Sequence, residues 1–587
     1  MTLSTTQQQI IQAAPRNTVR VTFVDGLVLE GPIGTTVEDF LLAAQALQPE
    51  RHTSPIMGAI VDARLRELIY PIRSDAEIEA VLLSSSDGGR IYRRSLVLLL
   101  AAALDELWPG VEVKVNYAVP DGGFYCQIAN RAPLSESELE RLETYMRQIV
   151  QDNDPITKEI VPLDQAIELF KSRQNMDKVR LLEQRTRQEL TLYTLRNRTD
   201  YYFGYMVAST GYLQYFRLHH TNDGFILQYP RQDSPTYLGE MQPWRKLSRV
   251  FQQADQWSQR MGVEDIGRLN SLARHNQVHE LILVAEALHE QRIAAIATEI
   301  HEKHLTHGTR VVLIAGPSSS GKTTFSKRLA IQLLAHGLRP FTLELDNYFV
   351  DRALTPRDEN GEYDFEALAA VNLALFNQQL LQLIEGEEVR LPRFDFVQGR
   401  SMEGQLAHLQ QNQIIIIEGI HGLNPGLVPA IPSAAIHRIY VSAMTQLNVD
   451  THNRVATTDV RLLRRIVRDA QHRGNNAMAT LERWPSVRRG EKRNIFPYQE
   501  NADAMFNSTL AYELAALRPL AEPLLLQVRY GTRAHIEANR LLSFLGWVQP
   551  LTPEQLSMIP DTSLLREFIG GSTLHDYHPY RPAEEAG

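Results

Sequence analysis

The feature that most constrains this chain is a short glycine-rich segment between a strand pattern and a helix pattern. The run RVVLIA (310–315) is apolar and β-branched, which is typical of a buried strand. It is followed by GPSSSGKT (316–323), a complete G-x-x-x-x-G-K-T spacing. Next comes TTFSKRLAIQLLAHG, whose apolar residues recur at helical intervals until Gly337, a residue suited to a C-terminal cap. Strand, loop and helix in this order predict an α/β domain.

The spacing of this segment suits a chain of phosphates. Glycines let backbone N–H groups converge on phosphate oxygens at the positive end of a helix. Lys322 is expected to reach the β- and γ-phosphates, and the Thr323 hydroxyl is expected to bind Mg²⁺. The segment is therefore predicted to be a nucleotide-binding P-loop. Its predicted contact residues are Gly316, Ser318, Ser319, Ser320, Gly321, Lys322, Thr323 and Thr324.

Two further strand patterns end in acidic residues. PFTLELD ends in Asp346, and QIIIIEG (413–419) carries Glu418. Ligands of open parallel sheets bind beyond the carboxyl ends of the strands, so both side chains are expected beside the phosphates. There Asp346 can take a proton from an attacking hydroxyl or help to hold the metal. The strand with Glu418 resembles the one that positions a metal-bound water in P-loop enzymes. The alternatives are a capping aspartate and a strand-end glutamate in solvent.

Residues 452–493 are strongly basic, with ten arginines and one lysine against four acidic residues. Arg461, Arg465 and Arg468 fall at i, i+4 and i+7, on one helical face. Such a run is usually a solvated face, and this is the favoured interpretation for Arg461. In a chain whose net charge is −9, the arginine stripe also indicates a lid over transferring phosphate, because the guanidinium fork binds phosphate bidentately.

Taken in order, the motifs between about 309 and 530 resemble the uridine kinase and phosphoribulokinase-like family of P-loop kinases. LELDNYF resembles the family's general-base strand, YDFEALAAVN (363–372) its ribose-contacting segment, and LPRFDFVQGR (391–400) its nucleobase pocket. IIIIEGIHGLN matches the metal-side strand, and RRIVRDAQHRG resembles the arginine lid. The resemblance implies ATP and Mg²⁺ as cofactors. It implies catalytic roles for Asp346, Lys322, Arg468 and Arg473, substrate contacts for Asp364, Glu366, Phe394 and Arg465, and metal binding by Thr323 and Glu418.

The nucleobase segment departs from the family pattern. Uridine and cytidine kinases place a tyrosine and a histidine there, whereas this chain has Phe394 and Gln398-Gly399 in a slightly shorter loop. A last lid arginine corresponds to Asn475. Buried hydrogen-bonding groups let a site reject near analogues, so their loss leaves the base preference open while phosphoryl transfer stays predicted.

Residues 18–83 resemble a different module. VRVTFVDGLVLEGPIGTTVEDFLLAAQ predicts a strand, a hairpin at Asp25-Gly26, a second strand and a helix capped at Thr35 or Thr36. This pattern resembles the TGS domain, a small ubiquitin-like β-grasp module.

Residues 84–230 are similar to the α+β editing domain of threonyl-tRNA synthetase. The two histidines of that domain's first motif correspond to Arg94 and Leu98, its cysteine to Tyr202 and its last histidine to Met206. None of these four can act as a metal ligand or proton shuttle as His or Cys does. We therefore predict no editing activity and no zinc.

Together these patterns predict a multi-domain α/β protein. Its predicted segments are an N-terminal tail (1–17), a TGS domain (18–83), an editing-like domain (84–230), a helical connector (231–308), a kinase domain with a parallel sheet and flanking helices (309–530), and a C-terminal helix and tail (531–587), the tail being disordered after Gly571. The single cysteine, Cys126, excludes a disulfide framework and is expected to be a small buried side chain.

No apolar run is long enough to span a membrane and the opening lacks a signal-peptide pattern, so a cytoplasmic enzyme is expected.

The leading hypothesis is transfer of the ATP γ-phosphate to the 5′-hydroxyl of a nucleoside. One alternative is a phosphoribulokinase-like enzyme for a sugar phosphate, which needs additional basic groups. Another is a nucleotide-switched regulator that binds RNA or tRNA weakly through the N-terminal half; assembly into a homo-oligomer is compatible with either. GTPase action is disfavoured, because the D-x-x-G match at 358–361 falls in a polar loop and no N-K-x-D occurs.

Overall fold

The computed structural model describes residues 16–357, 361, 363–364, 366–395, 398–445 and 447–577. The predicted N-terminal tail and the D-x-x-G segment fall mostly outside these residues. The chain divides into two compact units. The first contains the described residues up to Ala166 with Arg187–Met241 and Tyr530–Ile536, and the second contains Ile167–Thr186, Gln242–Arg529 and the residues from Glu537 onward.

The first unit opens with a β-grasp sheet. Its elements are β1 (Thr18–Phe23), β2 (Val28–Pro32), α1 (Val37–Leu47), β3 (Ile56–Val61), β4 (Arg64–Arg66) and β5 (Ala76–Leu82). The strand order is β2-β1-β5-β3-β4, with β1 and β5 parallel and the other neighbours antiparallel. The predicted hairpin is confirmed by the φ of 88° at Gly26, and Thr36 caps α1 by accepting a hydrogen bond from the backbone N–H of Asp39.

The rest of the first unit is an α+β arrangement around one long helix. Its elements are α2 (Ser86–Leu107), β6 (Val113–Val119), β7 (Gly123–Ile128), α3 (Glu136–Asp152), β8 (Thr157–Pro162), β9 (Glu189–Leu195), β10 (Arg198–Tyr201), β11 (Arg217–Thr221) and β12 (Gly224–Gln228). The sheets have the orders β11-β12-β7-β6 and β10-β9-β8. Every residue of α2 from Leu96 to Leu104 is buried, because this stretch of the helix is apolar on all sides and runs through the core.

The four residues at the positions of the synthetase editing motifs make structural contacts. Leu98, Tyr202 and Met206 belong to the hydrophobic core of the first unit. The Arg94 guanidinium donates a hydrogen bond to the backbone carbonyl of Tyr205 at 2.6 Å. Cys126 is buried, as predicted. These side chains hold the scaffold together through packing and backbone contacts.

The second unit surrounds a parallel sheet. Its helices are α4 (Leu163–Ser172, which begins in the first unit), α5 (Met176–Leu182), α6 (Arg245–Arg260), α7 (Ile266–Arg274), α8 (Val278–His307), α9 (Lys322–Ala335), α10 (Leu373–Glu385), α11 (Thr457–His472), α12 (Ala477–Asn494), α13 (Glu513–Leu526), α14 (Arg533–Leu545, which crosses from the first unit), α15 (Pro553–Ser557) and α16 (Arg566–Ile569). Its strands are β13 (Val311–Ala315), β14 (Arg339–Glu344), β15 (Glu388–Asp395), β16 (Arg400–His408), β17 (Gln413–Glu418), β18 (Ile436–Ser442) and β19 (Ala504–Asn507).

The sheet order β14-β17-β13-β18-β19 places the strand before the glycine loop at the centre. All neighbouring strands are parallel. All five residues of β13 are buried, and so are the four isoleucines 414–417 of β17, since a parallel sheet covered on both faces favours continuous apolar strands. The predicted parallel sheet with flanking helices is confirmed. Among the described residues, no helix has both the length and the apolar character needed to cross a membrane.

The C-terminal region is more ordered than predicted. The predicted helix after 530 is confirmed as α14, where the Arg540 guanidinium pairs with Asp459 of α11 at 2.7 Å. The prediction of disorder after Gly571 is wrong for residues 572–577. Leu574 is buried there, and the Lys327 ammonium donates hydrogen bonds to the carbonyls of Leu574 and His575, each at 2.7 Å. Chain anchored by packing and by a lysine in this way does not fray.

Candidate active site

The glycine loop joins β13 to α9 and folds closely against its neighbours. A Cβ at Gly316 would overlap the backbone carbonyl of Val441. Gly321 has a φ of 83°, and a Cβ there would overlap the Leu564 side chain. Glycine is therefore required at both ends of the loop. Gly316 allows a close approach to neighbouring backbone, and Gly321 allows both a close approach and a positive φ. The result is a cradle of backbone N–H groups at the first turn of α9, which fits a phosphate chain.

Lys322 lies at the start of α9 in an environment that already contains negative charge. Its ammonium donates to the backbone carbonyl of Pro317 at 3.3 Å. Desolvation lowers the pKa of Lys322, while the charges of Glu418 and Glu567 act in the opposite direction. A desolvated ammonium of this kind gains strongly from a phosphate that enters the loop.

The structure brings Thr323 and Glu418 together. The Thr323 hydroxyl donates a hydrogen bond to a Glu418 carboxylate oxygen at 3.1 Å. Burial raises the pKa of Glu418, and the nearby charge of Lys322 lowers it. A hydroxyl and a carboxylate are hard oxygen donors, and Mg²⁺ is usually held by one or two carboxylates together with substrate phosphates. This pair fits a magnesium ion that is shared with a bound nucleotide.

Asp346 lies at the same edge of the sheet. β14 ends at Glu344, and Asp346 follows in a short 3-10 helix, Leu345–Tyr348. Across the sheet Glu344 aligns with Glu418, and Glu418 aligns with Ile314, two residues before the glycine loop. Asp346 is exposed, yet the surrounding protein and the charge of Glu344 raise its pKa. A carboxylate with a raised pKa beside a phosphate loop is suited to proton abstraction.

The residues predicted to contact the acceptor lie on the segment after Asp346. Asp364 pairs with Arg493 of α12 at 2.9 Å. The Glu366 carboxylate lies so close to Gly490 of α12 that a Cβ there would overlap it. Burial raises the pKa of Glu366, and the charges of Asp364 and Glu491 raise it further, whereas the charges of Arg465 and Arg493 lower it. This side of the site therefore carries carboxylates together with guanidinium groups.

Phe394, predicted to face a nucleobase, is buried. Its exposed fraction is 4%, and its ring contacts Phe349 edge-on with a centroid distance of 5.8 Å. Its backbone N–H donates to the side-chain oxygen of Asn347 at 3.3 Å. Phe394 thus links the pocket segment to the 3-10 helix that carries Asp346. The neighbouring pocket residues 396 and 397 lie outside the described residues.

The interpretation of Arg461 as part of a solvated face is wrong. Its side chain is 1% exposed, because α11 lies against the glycine loop and directs this face inward. The Arg461 guanidinium donates to the carbonyl of Ser318 at 2.9 Å and pairs with Glu491 of α12. A buried guanidinium requires such partners.

The other lid arginines have different surroundings. Arg465 donates to the Ser318 hydroxyl at 2.7 Å. Arg468 lies 3.5 Å from Asp469 and 3.9 Å from Glu567. The Arg473 side chain is half exposed and pairs with Asp469 at 3.7 Å. The structure therefore places Arg465 at the loop and Arg468 next to it, whereas Arg473 faces outward.

Sequence reasoning missed three charged groups at the loop. Arg464 is fully buried, pairs with Glu513 and donates to the carbonyl of Ser319 at 3.4 Å. Glu491 accepts a hydrogen bond from the backbone N–H of Ser318 at 2.9 Å. Glu567 accepts from the backbone N–H of Thr324 at 3.2 Å and from its hydroxyl at 2.8 Å. Two carboxylates of the chain therefore accept hydrogen bonds from backbone N–H groups that could also donate to phosphate oxygens.

Comparison with known proteins agrees with this geometry. Residues 311–514 match the Phosphoribulokinase / Uridine kinase family. This part of the chain is therefore similar to P-loop kinases. The match covers the glycine loop, both acidic strand ends and the arginine-rich helix α11, so the predicted resemblance is confirmed.

The N-terminal part of the chain is similar to threonine–tRNA ligases, which confirms the predicted resemblance to threonyl-tRNA synthetase. It is 34% identical over 201 residues to the ligases of Listeria welshimeri serovar 6b and Listeria monocytogenes serotype 4a. It is 28% identical over 200 residues to that of Francisella tularensis subsp. holarctica. Each match covers 34% of this chain and 31% of the ligase, so the chain spans about a third of these relatives.

Two solved structures are also similar over part of the chain. A candidate fructose transport system kinase from Silicibacter sp. TM1040 is 24% identical, with 36% of this chain and 98% of that one covered and a TM-score of 0.27. A candidate uridine kinase from Bacillus stearothermophilus is 21% identical, with 37% and 97% covered and a TM-score of 0.23.

Proposed function

We propose that this protein is an ATP-dependent nucleoside kinase that transfers the γ-phosphate of ATP to the 5′-hydroxyl of a nucleoside. The observation that carries the proposal is the arrangement of one sheet edge. Asp346 follows the strand next to the one that carries Glu418, and Glu418 is hydrogen-bonded to Thr323 of the glycine loop. A hydroxyl activated by Asp346 at this edge faces the terminal phosphate of a nucleotide in the loop.

Each residue then has a defined task. The loop N–H groups and Lys322 hold the phosphates of ATP. Thr323 and Glu418 would hold Mg²⁺, which neutralises charge on the phosphate oxygens when it is bound. Asp346 accepts the proton of the acceptor hydroxyl. The hydroxyl oxygen forms a bond to the γ-phosphorus while the bond between the γ-phosphorus and the ADP oxygen breaks. Positioning and electrostatic stabilisation account for most of the catalysis in such transfers.

The two carboxylates on the acceptor side favour an uncharged nucleoside over a sugar phosphate. Asp364 and Glu366 lie there, and the nearby Arg493 is already paired with Asp364. A phosphate dianion in this position would be repelled by both carboxylates, whereas sugar hydroxyls can donate hydrogen bonds to them. Glu366 is the residue we assign to the ribose.

Similarity to threonine–tRNA ligases supports, as a second candidate, a weak contact with tRNA through the N-terminal part. We place the reaction in the cytoplasm, with MgATP as phosphate donor.

The decisive experiment incubates the full-length chain with MgATP and a panel of purine and pyrimidine nucleosides. We expect at least one nucleoside 5′-monophosphate, formed in equal amount with ADP and detected by anion-exchange chromatography. The matching 5′-deoxynucleoside lacks the acceptor oxygen and should give neither product. Sugar phosphates and tRNA are tested in parallel. Phosphorylation of a sugar phosphate alone, or tight salt-dependent tRNA binding without nucleoside turnover, would contradict the proposal.

Gly490→Ala tests the assignment of Glu366 to the acceptor. The added methyl group would overlap the Glu366 carboxylate, so that side chain has to move. We expect the KM for the nucleoside to rise about tenfold or more, while the KM for ATP stays near its wild-type value. Gly546→Ala is the control, because a methyl group there has space. An equal rise in both KM values would show that Glu366 does not act on the acceptor alone.

A further inference from the structure

The carboxylate of Glu567 lies among the groups that we assign to the phosphates of ATP. One oxygen accepts hydrogen bonds from the backbone N–H and the hydroxyl of Thr324. The other lies 3.9 Å from the guanidinium of Arg468. Its negative charge also supports the protonated form of Lys322. An N–H of the first helical turn and a lid arginine thus face one acidic side chain, whose charge also acts on the loop lysine.

The backbone that carries Glu567 is firmly held. The Ser563 hydroxyl donates to the buried carboxylate of Glu286 on α8. Leu564, Leu565 and Phe568 are fully buried, and Leu564 packs against Gly321 of the loop. The segment is part of the core and is not a detachable tail. Any release of the loop therefore has to come from rotation of the Glu567 side chain, which is 17% exposed.

Glu491, the other carboxylate at the loop, is in a different situation. It is 3% exposed and pairs with both Arg461 and Arg488. Two guanidinium groups compensate its charge and fix its position, so its displacement would leave buried charges without partners. Glu567 has its ion-pair partner at a longer distance and keeps some contact with solvent. Of these two carboxylates, Glu567 is the one that an incoming phosphate can displace.

We propose that Glu567 is an internal competitor for the nucleotide's phosphates. Its carboxylate accepts a hydrogen bond from the Thr324 N–H and has to leave before a phosphate oxygen can bind there. The competition is electrostatic and local, so it lowers the affinity for phosphorylated ligands and leaves the affinity for the nucleoside portion unchanged. Glu567 is thereby an affinity-determining residue. This inference rests on the proposed function, because it requires that the loop binds a nucleotide.

The test is Glu567→Gln in the full-length chain, with binding measured by titration calorimetry. Glutamine keeps the size and removes the charge. We expect the affinity for ADP to rise about tenfold, which corresponds to the loss of one charge-assisted hydrogen bond that competes with the ligand. Adenosine, which has no phosphate, should bind both proteins equally. Glu567→Asp keeps the charge but shortens the side chain, and we expect it to raise ADP affinity by a smaller factor.

The controls separate this inference from the proposed function. Glu554→Gln removes an exposed charge on α15 and should leave ADP affinity unchanged. Melting curves establish that each variant folds, and the aspartate variant carries the test if the glutamine variant does not. Unchanged or weaker ADP binding overturns the inference, as does an equal gain for adenosine. If the wild type and the variants all fail to bind ADP, both the inference and the proposed kinase function are contradicted.

Discussion

Asp346→Asn is expected to lower kcat about 10²- to 10⁴-fold, while the affinity for ATP stays near the wild-type value. The range is the usual contribution of general acid–base catalysis by a positioned side chain. Asparagine has nearly the same size but cannot accept the proton of the acceptor hydroxyl. Asp346 lies outside the glycine loop, so we expect nucleotide binding not to depend on its charge. Rapid-quench measurement of the first turnover, together with ATP binding by calorimetry, gives both quantities.

The pH profile provides a readout that a structural role would not move. A general base works when it is deprotonated, so the rate falls as the pH falls through its pKa. Desolvation and Glu344 raise the pKa of Asp346, which places this acidic limb at a higher pH than for a free aspartate. Glu344→Gln removes one cause and should shift the limb to lower pH without changing the plateau rate. Persistence of turnover in Asp346→Asn at the wild-type level would eliminate the general-base assignment.

The elements that local patterns predict are those whose cause is local. The β-branched run before the loop, the Thr36 cap and the Asp25-Gly26 hairpin each depend on residues only a few positions apart. The Ile414–Ile417 run likewise predicted a strand, and the structure buries all four isoleucines. Because parallel strands share one carboxyl edge, the same patterns also place Asp346 and Glu418 at that edge.

The missed parts of the site depend on contacts between distant segments. Arg461 meets Glu491 on the next helix, and Glu567 reaches Thr324 from 243 positions along the chain. Helical periodicity identifies which arginines share a face, but the burial of that face depends on what packs against it. An arginine stripe opposite a glycine loop is therefore not distinguishable from a solvated stripe until the fold is known.

The synthetase-like region shows the opposite case. There the informative positions are those where residue types changed. A ligand position occupied by Leu98 or Met206 has no polar chemistry left, and the structure places both residues in the core. The loss of a ligand or proton shuttle can thus be predicted from residue identity alone, whereas a contact between distant segments cannot.

Lys322→Met is expected to lower kcat about 10²- to 10³-fold, the usual cost of removing one preorganised group that stabilises transition-state charge. Methionine fills a similar volume without the ammonium. Because Lys322 is expected to reach the β- and γ-phosphates, the loss of affinity should be large for ATP and ADP and small for AMP. Calorimetric titration with the three nucleotides measures this gradation, and single-turnover kinetics measure the rate.

The matched control is Lys303→Met, which removes the same charge from α8, where Lys303 pairs with Glu299 at 3.0 Å. It should keep wild-type rates and affinities, which excludes a general effect of net charge. Lys322→Met also removes a cation whose charge interacts with Glu418 and Glu567, so the site becomes more negative. This adds repulsion to the lost attraction and again acts on the longer phosphate chains. Equal weakening for AMP and ATP would place the ammonium away from the terminal phosphates and would contradict its catalytic role.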